Sequence, residues 1–278
     1  MSSITPVAES TVTARAWSVP AELPYWILRV GAALCFIGHG AFGFITKTAW
    51  VPYFAVVGIP EPLAWRLMPL VGAVDVTVGM MVLFAPRRFA LGYMGGWALW
   101  TALLRPLSGE PFFEMLERAG NYGVPLALLL MSGWPRDVRS WFTVLVPAAV
   151  SIERVAIVRR VLQITSVLLL AGHGALGAIT GKAVLATHYA AVGLPAGLTA
   201  TIGWFELGLA AMIAARPLVP LLLFVCAWKL ATESLFIAAG APVWEFVERT
   251  GSYTAPLALA AMMLVHTKDT DTRRRVGV

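Results

Sequence analysis

The chain has 278 residues, of which 59% are hydrophobic and only 13% charged, and its mean hydropathy is +0.77. Soluble domains run near half apolar and a quarter charged, so this composition excludes a water-soluble globular protein and reads as an all-α integral membrane protein in contact with a lipid bilayer. The 21 basic and 15 acidic residues leave a formal charge of +6, but the basic ones cluster between apolar runs, a pattern of topology-setting charge rather than of a nucleic-acid surface.

Residues 1–23 are polar and Ser/Thr-rich and precede a full-length apolar run, so they are expected to form a cytoplasmic tail and not a cleaved signal peptide. A bilayer core about 30 Å thick needs about 20 helical residues. Apolar runs of that order fall at 24–46, 62–85, 88–106, 110–134, 153–178, 196–215, 218–238 and 241–266. The segments "GIPEP" and "GLPAG" mark breaks after the first and fifth. The run at 110–134 contains Gly120, Gly123 and Pro125, which predicts either a kinked helix or two short pieces. A linker over 135–152 carries the apolar stretch Trp141 to Val150, too short to cross and expected in the interface. A basic cytoplasmic tail is expected over 267–278. Cys35 and Cys226 both fall inside apolar runs and make no disulfide framework.

The two halves repeat one another. Gly38-His39-Gly40 matches Gly172-His173-Gly174, "VVGIP" matches "AVGLP", Asp75 matches Glu206, Trp97 matches Trp228, and Thr101 matches Thr232. In "PFFEMLERAGNYGVPLAL" against "PVWEFVERTGSYTAPLAL", Glu114, Glu117, Arg118, Gly120, Tyr122 and Pro125 recur at Glu245, Glu248, Arg249, Gly251, Tyr253 and Pro256, each 131 residues later. This predicts tandem four-helix units at 24–134 and 153–266. Four crossings per unit is an even number, so both enter the membrane in the same direction as parallel repeats. Arg15, Arg87, Arg88, Arg136, Arg139, Arg154, Arg159, Arg160, Arg216, Lys268 and Arg273 to Arg275 fall on the side of the termini, against little beyond Lys47, Arg105 and Lys182 on the other. The positive-inside rule then places both termini in the cytoplasm.

Each histidine lies about 10 Å below the outer surface at 1.5 Å per residue, and Glu114 and Glu117 lie about 6–10 Å deep. Glu114, Glu117, Arg118 and Asn121 share one helix face, so His39 is expected to meet the carboxylates of its own half, and His173 to meet Glu245, Glu248 and Arg249. Asp75 and Glu206 are expected deeper. Lys229 and Glu233 stand where the first half has Ala98 and Ala102; an i,i+4 pair or contact from Lys229 to Glu206 are both open. His188 and His266 have no counterparts and read as ordinary interfacial residues.

Three chemistries suit such a cluster. A metal takes imidazole and carboxylates, here His39, Glu114, His173 and Glu245, although the adjacent arginine repels a cation. A quinone or quinol site uses His39, His173, Glu114, Glu117, Glu245 and Glu248 for protons, with Arg118, Arg249, Tyr122, Tyr253, Asp75 and Glu206 holding the ligand. In the third, Glu117–Arg118 and its copy are structural ion pairs.

A four-span unit with His39-Gly40, then Gly58-Ile59-Pro60, then Asp75 with Gly79, repeated as His173-Gly174, Gly193-Leu194-Pro195 and Glu206 with Gly208, resembles the DoxX-like family over both halves. The resemblance implies a four-helix fold in each half and a membrane redox role of the kind played by the membrane subunit of thiosulfate:quinone oxidoreductase, with a partner protein subunit. Related four-span proteins act without catalysis as assembly factors or anchors, and parallel repeats with intramembrane charge also suit a small-solute transporter.

Overall fold

A computed structural model of the chain describes residues 22–276, with side chains described to residue 265. The regular elements among the described residues are all helical. The first half forms α1 (Leu23–Phe44), a 3₁₀ turn (Thr48–Trp50), α2 (Val51–Val56), α3 (Glu61–Phe84), α4 (Arg88–Leu107), α5 (Phe113–Glu117) and α6 (Ala119–Met131). The linker holds α7 (Val138–Phe142), and the second half forms α8 (Ile152–Ala178), α9 (Ala183–Ala190), α10 (Leu198–Ala215), α11 (Val219–Ala238), α12 (Val243–Glu248) and α13 (Thr250–Val276). Helices α1, α3, α8, α10 and α11 are long and apolar enough to cross a membrane, so the molecule is an all-helical membrane protein.

Residues 1–21 of the expected polar tail, Arg15 among them, lie outside the described residues, as do the side chains of His266, Lys268 and Arg273 to Arg275. At the other end α13 runs ten residues past the expected limit of 266, because no glycine or proline interrupts the sequence before Gly277.

Prolines set several helix starts, where a missing N–H costs nothing: Pro24 in α1, Pro62 in α3 and Pro220 in α11. The region expected as a kinked helix is two pieces. α5 stops at Arg118 (φ −90°, ψ 12°) and α6 begins at once; α12 stops at Arg249 with nearly the same backbone (φ −91°, ψ 11°) before α13. Tyr122 Oη donates to Met115 O at 3.4 Å and Tyr253 Oη to Phe246 O at 3.4 Å, each tying the long piece to the short one across its break.

Small residues decide the packing. A Cβ on Gly40 would meet Gly72 O at 2.6 Å, and one on Gly43 would meet Met68 O at 2.5 Å, so α1 lies directly on α3. Gly174 and Gly177 play the same part against Gly203 O and Thr199 O, where α8 lies on α10. Between halves, Gly31 accommodates Thr254 and Thr165 accommodates itself against Gly123, so one side of each contact is a threonine and the other a glycine. Gly120 and Gly251 touch backbone to backbone where α6 meets α13.

Polar side chains close the helix ends. Arg29 of α1 donates to Val82 O (3.0 Å) and Leu83 O (2.6 Å), satisfying carbonyls at the end of α3; Gln163 of α8 donates to Ile213 O (2.8 Å) and Ala214 O (3.2 Å) at the end of α10. The linker is pinned by Arg88, which donates to Gly133 O, Ser140 O and Ser132 O, and by Arg87, which donates to Phe142 O. Val138, Phe142, Val144 and Val146 stay exposed there.

Candidate functional site

The two glycines around each histidine serve different neighbours. Gly40 and Gly174 face α3 and α10. Gly38 and Gly172 face across the molecule: a Cβ on Gly38 would run into the Val247–Glu248 backbone of α12, and one on Gly172 into Leu116–Glu117 of α5. Each histidine helix therefore touches the Glu-Arg segment of the opposite half.

His39 Nδ1 lies 2.7 Å from Asp75 Oδ2, and His173 Nδ1 is hydrogen-bonded to Glu206 Oε2. The expected pairing of His39 with Glu114 and Glu117, and of His173 with Glu245 and Glu248, is corrected by this geometry. Close packing of Gly40 on Val76 brings Asp75 level with His39, not below it. With Asp75 ionised, Nδ1 carries the proton and Nε2 keeps its lone pair for another partner.

The carboxylates of the short helices are bound mainly by cations, several from the other half. Lys47 Nζ is 2.5 Å from Glu245 Oε1 and Lys182 Nζ is 2.5 Å from Glu114 Oε1. Arg249 Nη1 is 2.8 Å from Glu117 Oε1, and Arg118 holds Glu114 (2.8 Å) and Glu117 (3.1 Å) within its own half. Arg249 also lies near Glu233 (3.6 Å) and Glu245 (3.8 Å). Both arginines are thus committed to carboxylates, and Tyr122 and Tyr253 to backbone carbonyls. Among the described residues, no three His, Cys, Asp or Glu side chains gather as a metal site; Glu114 and Glu245, expected beside the histidines, stand against lysines instead.

A cavity of about 360 Å³ opens beside His39, a size suited to a small organic ligand. Its wall is mostly apolar, with Trp50, Phe54, Leu67, Val71, Trp97, Ala98, Trp100 and Leu104, and a few polar groups at His39, Tyr53, Thr101, Arg105, Arg118, Asn121 and Glu248. The His39 ring stacks on Trp50 at 4.6 Å between centroids. Three buried polar atoms of this wall have no hydrogen-bond partner: Trp97 Nε1, Arg105 Nε and Glu248 Oε2. Within the wall, Arg105 Nη1 donates to Tyr53 Oη at 2.8 Å, and Tyr53 Oη donates outward to Glu110, whose side chain is 33% exposed.

The second half treats the same positions differently. Trp228 Nε1 donates to Glu206 Oε1 at 2.9 Å, a bond that the shorter Asp75 does not make with Trp97; Asp75 Oδ1 is likewise unpartnered. Lys229, at the position of Ala98, is fully buried 3.0 Å from Glu233 and 3.7 Å from Glu206, so both contacts left open by the sequence form. His173 is 5% exposed where His39 is 21% exposed. His188, taken from sequence as interfacial, is buried with its ring 4.1 Å from Phe236.

No family model, curated protein or solved structure matches the chain.

Sequence reasoning missed Trp50, Tyr53, Arg105 and Glu110 as site residues, and Lys47 and Lys182 as partners. The lysines had a signal, since both follow the matched "GHG" segments through "FITK" and "AITGK". The aromatic wall had none, because Trp50 and Tyr53 correspond to Leu185 and His188.

The missing Trp97 bond gives a prediction. Asp75→Glu lengthens the carboxylate by one methylene, enough to reach Trp97 as Glu206 reaches Trp228. Stability against denaturant should rise by about 1 kcal/mol, with a shifted tryptophan emission. Unchanged stability and emission would mean that the two tryptophans are held differently.

Proposed function

We propose that this chain is an eight-span membrane protein made of two four-helix repeats, α1, α3, α4 and α5–α6 followed by α8, α10, α11 and α12–α13, both entering the membrane in the same direction with the termini in the cytoplasm. The first repeat binds a lipid-soluble quinone or quinol in its cavity as a component of a redox complex. The resemblance to the DoxX-like family favours this reading, and so do two matched sets of contacts: Arg29 on Val82 O as Gln163 on Ile213 O, and Lys47 with Glu245 as Lys182 with Glu114. The observation that carries it is the unpartnered Trp97 Nε1 in an apolar cavity wall shared with the hydrogen-bonded His39.

The residues fit such a ligand. The cavity has room for a flat ring, and Trp97 Nε1–H and Arg105 Nε–H offer donors for its oxygens. A quinone–quinol pair supplies two-electron, two-proton chemistry, with its electrons exchanged with a partner protein subunit. His39 Nε2 takes or returns a proton while Asp75 fixes the ring and stabilises its cationic form. Stacking on Trp50 holds the imidazole in place. Tyr53 and Glu110 extend from the cavity wall to a part-exposed carboxylate, a route along which that proton exchanges with water.

Organic extraction of detergent-purified protein, read by mass spectrometry, tests this. Wild type should retain close to one quinone per chain and His39→Ala at least tenfold less. Retention equal in both, or none in wild type, would sink the assignment.

The alternative, a non-catalytic anchor or assembly subunit, is favoured by one observation: Glu114, Glu117, Arg118, Glu245 and Arg249 are all in ion pairs between or within helices. In the quinone reading these pairs brace the bundle and do not contact the ligand, apart from Arg118 at the cavity wall.

A further inference from the structure

We infer that the second half contains the same site in closed form, and that the buried Lys229–Glu233 pair is its internal occupant. This rests on the quinone reading of the first cavity and adds that the protein holds one ligand per chain despite two matched halves.

Ala98 lines the first cavity, and Ala102 lies one turn further along α4, buried. The small Ala98 side chain leaves space between α4, the His39 ring and the 3₁₀ turn. At the matching positions α11 carries Lys229 and Glu233, each 1% exposed, 3.0 Å apart. A lysine and a glutamate in place of two alanines fill the equivalent volume with four methylenes, two methylenes and two charged heads.

The closure is electrostatic as well as steric. Lys229 is held between Glu233 and Glu206, and Glu233 also faces Arg249 at 3.6 Å. Glu206 accepts from Trp228 and bonds His173, so the indole donor and the carboxylate oxygen that stand free in the first half are consumed in the second. Arg118, the counterpart of Arg249, instead reaches the wall of the open cavity. The indole and the carboxylate that would meet a ligand in the first half meet each other in the second.

Equilibrium binding of a decyl-substituted benzoquinone to purified protein in detergent tests the inference by stoichiometry. Wild type should bind one molecule per chain. K229A/E233A, which removes one charge of each sign, should bind two; A98K/A102E, which installs the pair in the first half, should bind none while still giving a cooperative melting transition. One molecule on K229A/E233A overturns the closure alone. One molecule on A98K/A102E overturns it too, since the wild-type ligand would then occupy the second half. If K229A/E233A does not fold, K229M/E233Q keeps the bulk without the charges: a stoichiometry of one supports the inference, and two overturns it. Absence of binding to wild type overturns the quinone reading, and this inference with it.

Discussion

Arg249→Leu should destabilise the protein by about 3–5 kcal/mol, the cost of breaking a buried ion pair from one side. Arg249 is one of three cations that join the halves, with Lys47 and Lys182: its Nη1 lies 2.8 Å from Glu117 Oε1 of α5, and its guanidinium sits over Phe236 at 4.1 Å. Leucine leaves Glu117 with Arg118 alone and strips Glu233 and Glu245 of a neighbouring positive charge. A double variant, Arg249→Leu with Glu117→Leu, should recover part of the loss, because one of the three carboxylates left short of a cation is then gone. Denaturant titration in detergent of the two singles and the double measures the coupling. A single-variant loss under about 1 kcal/mol would show that the pair does not clamp the bundle.

Gly120→Val should cost about 3 kcal/mol or more, at the upper end of what overpacking brings. A Cβ on Gly120 would lie 2.7 Å from Gly251 O and 2.9 Å from its Cα, and backbone has no rotamer by which to move away. The two helices would have to separate, and the ion pairs on either side of that contact would separate with them. Gly96→Val on α4 is the control: a Cβ there meets nothing within 4 Å, so its melting temperature should stay near wild type. Equal losses from both substitutions would assign the effect to the membrane environment or to folding, not to the contact.

Much of the helical layout was legible in the sequence because apolar length is a one-dimensional signal: α1, α3, α8, α10 and α11 start and end within a few residues of the apolar runs that announce them. The matched Glu114 and Glu245, Arg118 and Arg249 were equally visible as identities at a fixed spacing. Their partners were not. Depth along a helix says how far a side chain lies from the surface but not which helix it faces, so His39 was assigned to the carboxylates of its own half. The close crossing of α1 on α3 gave it Asp75. The cavity was hidden for a related reason. Ala98 and Ala102 against Lys229 and Glu233 read as four differing letters; only packing converts that difference into space in one half and bulk in the other.

The contacts of Gly31 with Thr254 and Thr165 with Gly123 carry a consequence for how such a molecule changes over time. In a symmetric dimer of a four-helix unit, each substitution at the interface is made twice, and a glycine facing a threonine must face it identically on both sides of the axis. In the two-repeat reading proposed above, joining the units in one polypeptide lifts that requirement. Here the threonine comes from the last helix at one crossing and from the histidine-bearing helix at the other, two opposite solutions that no homodimer of one gene product could hold together. The same freedom allows one half to be exchanged for bulk and charge while its twin stays hollow.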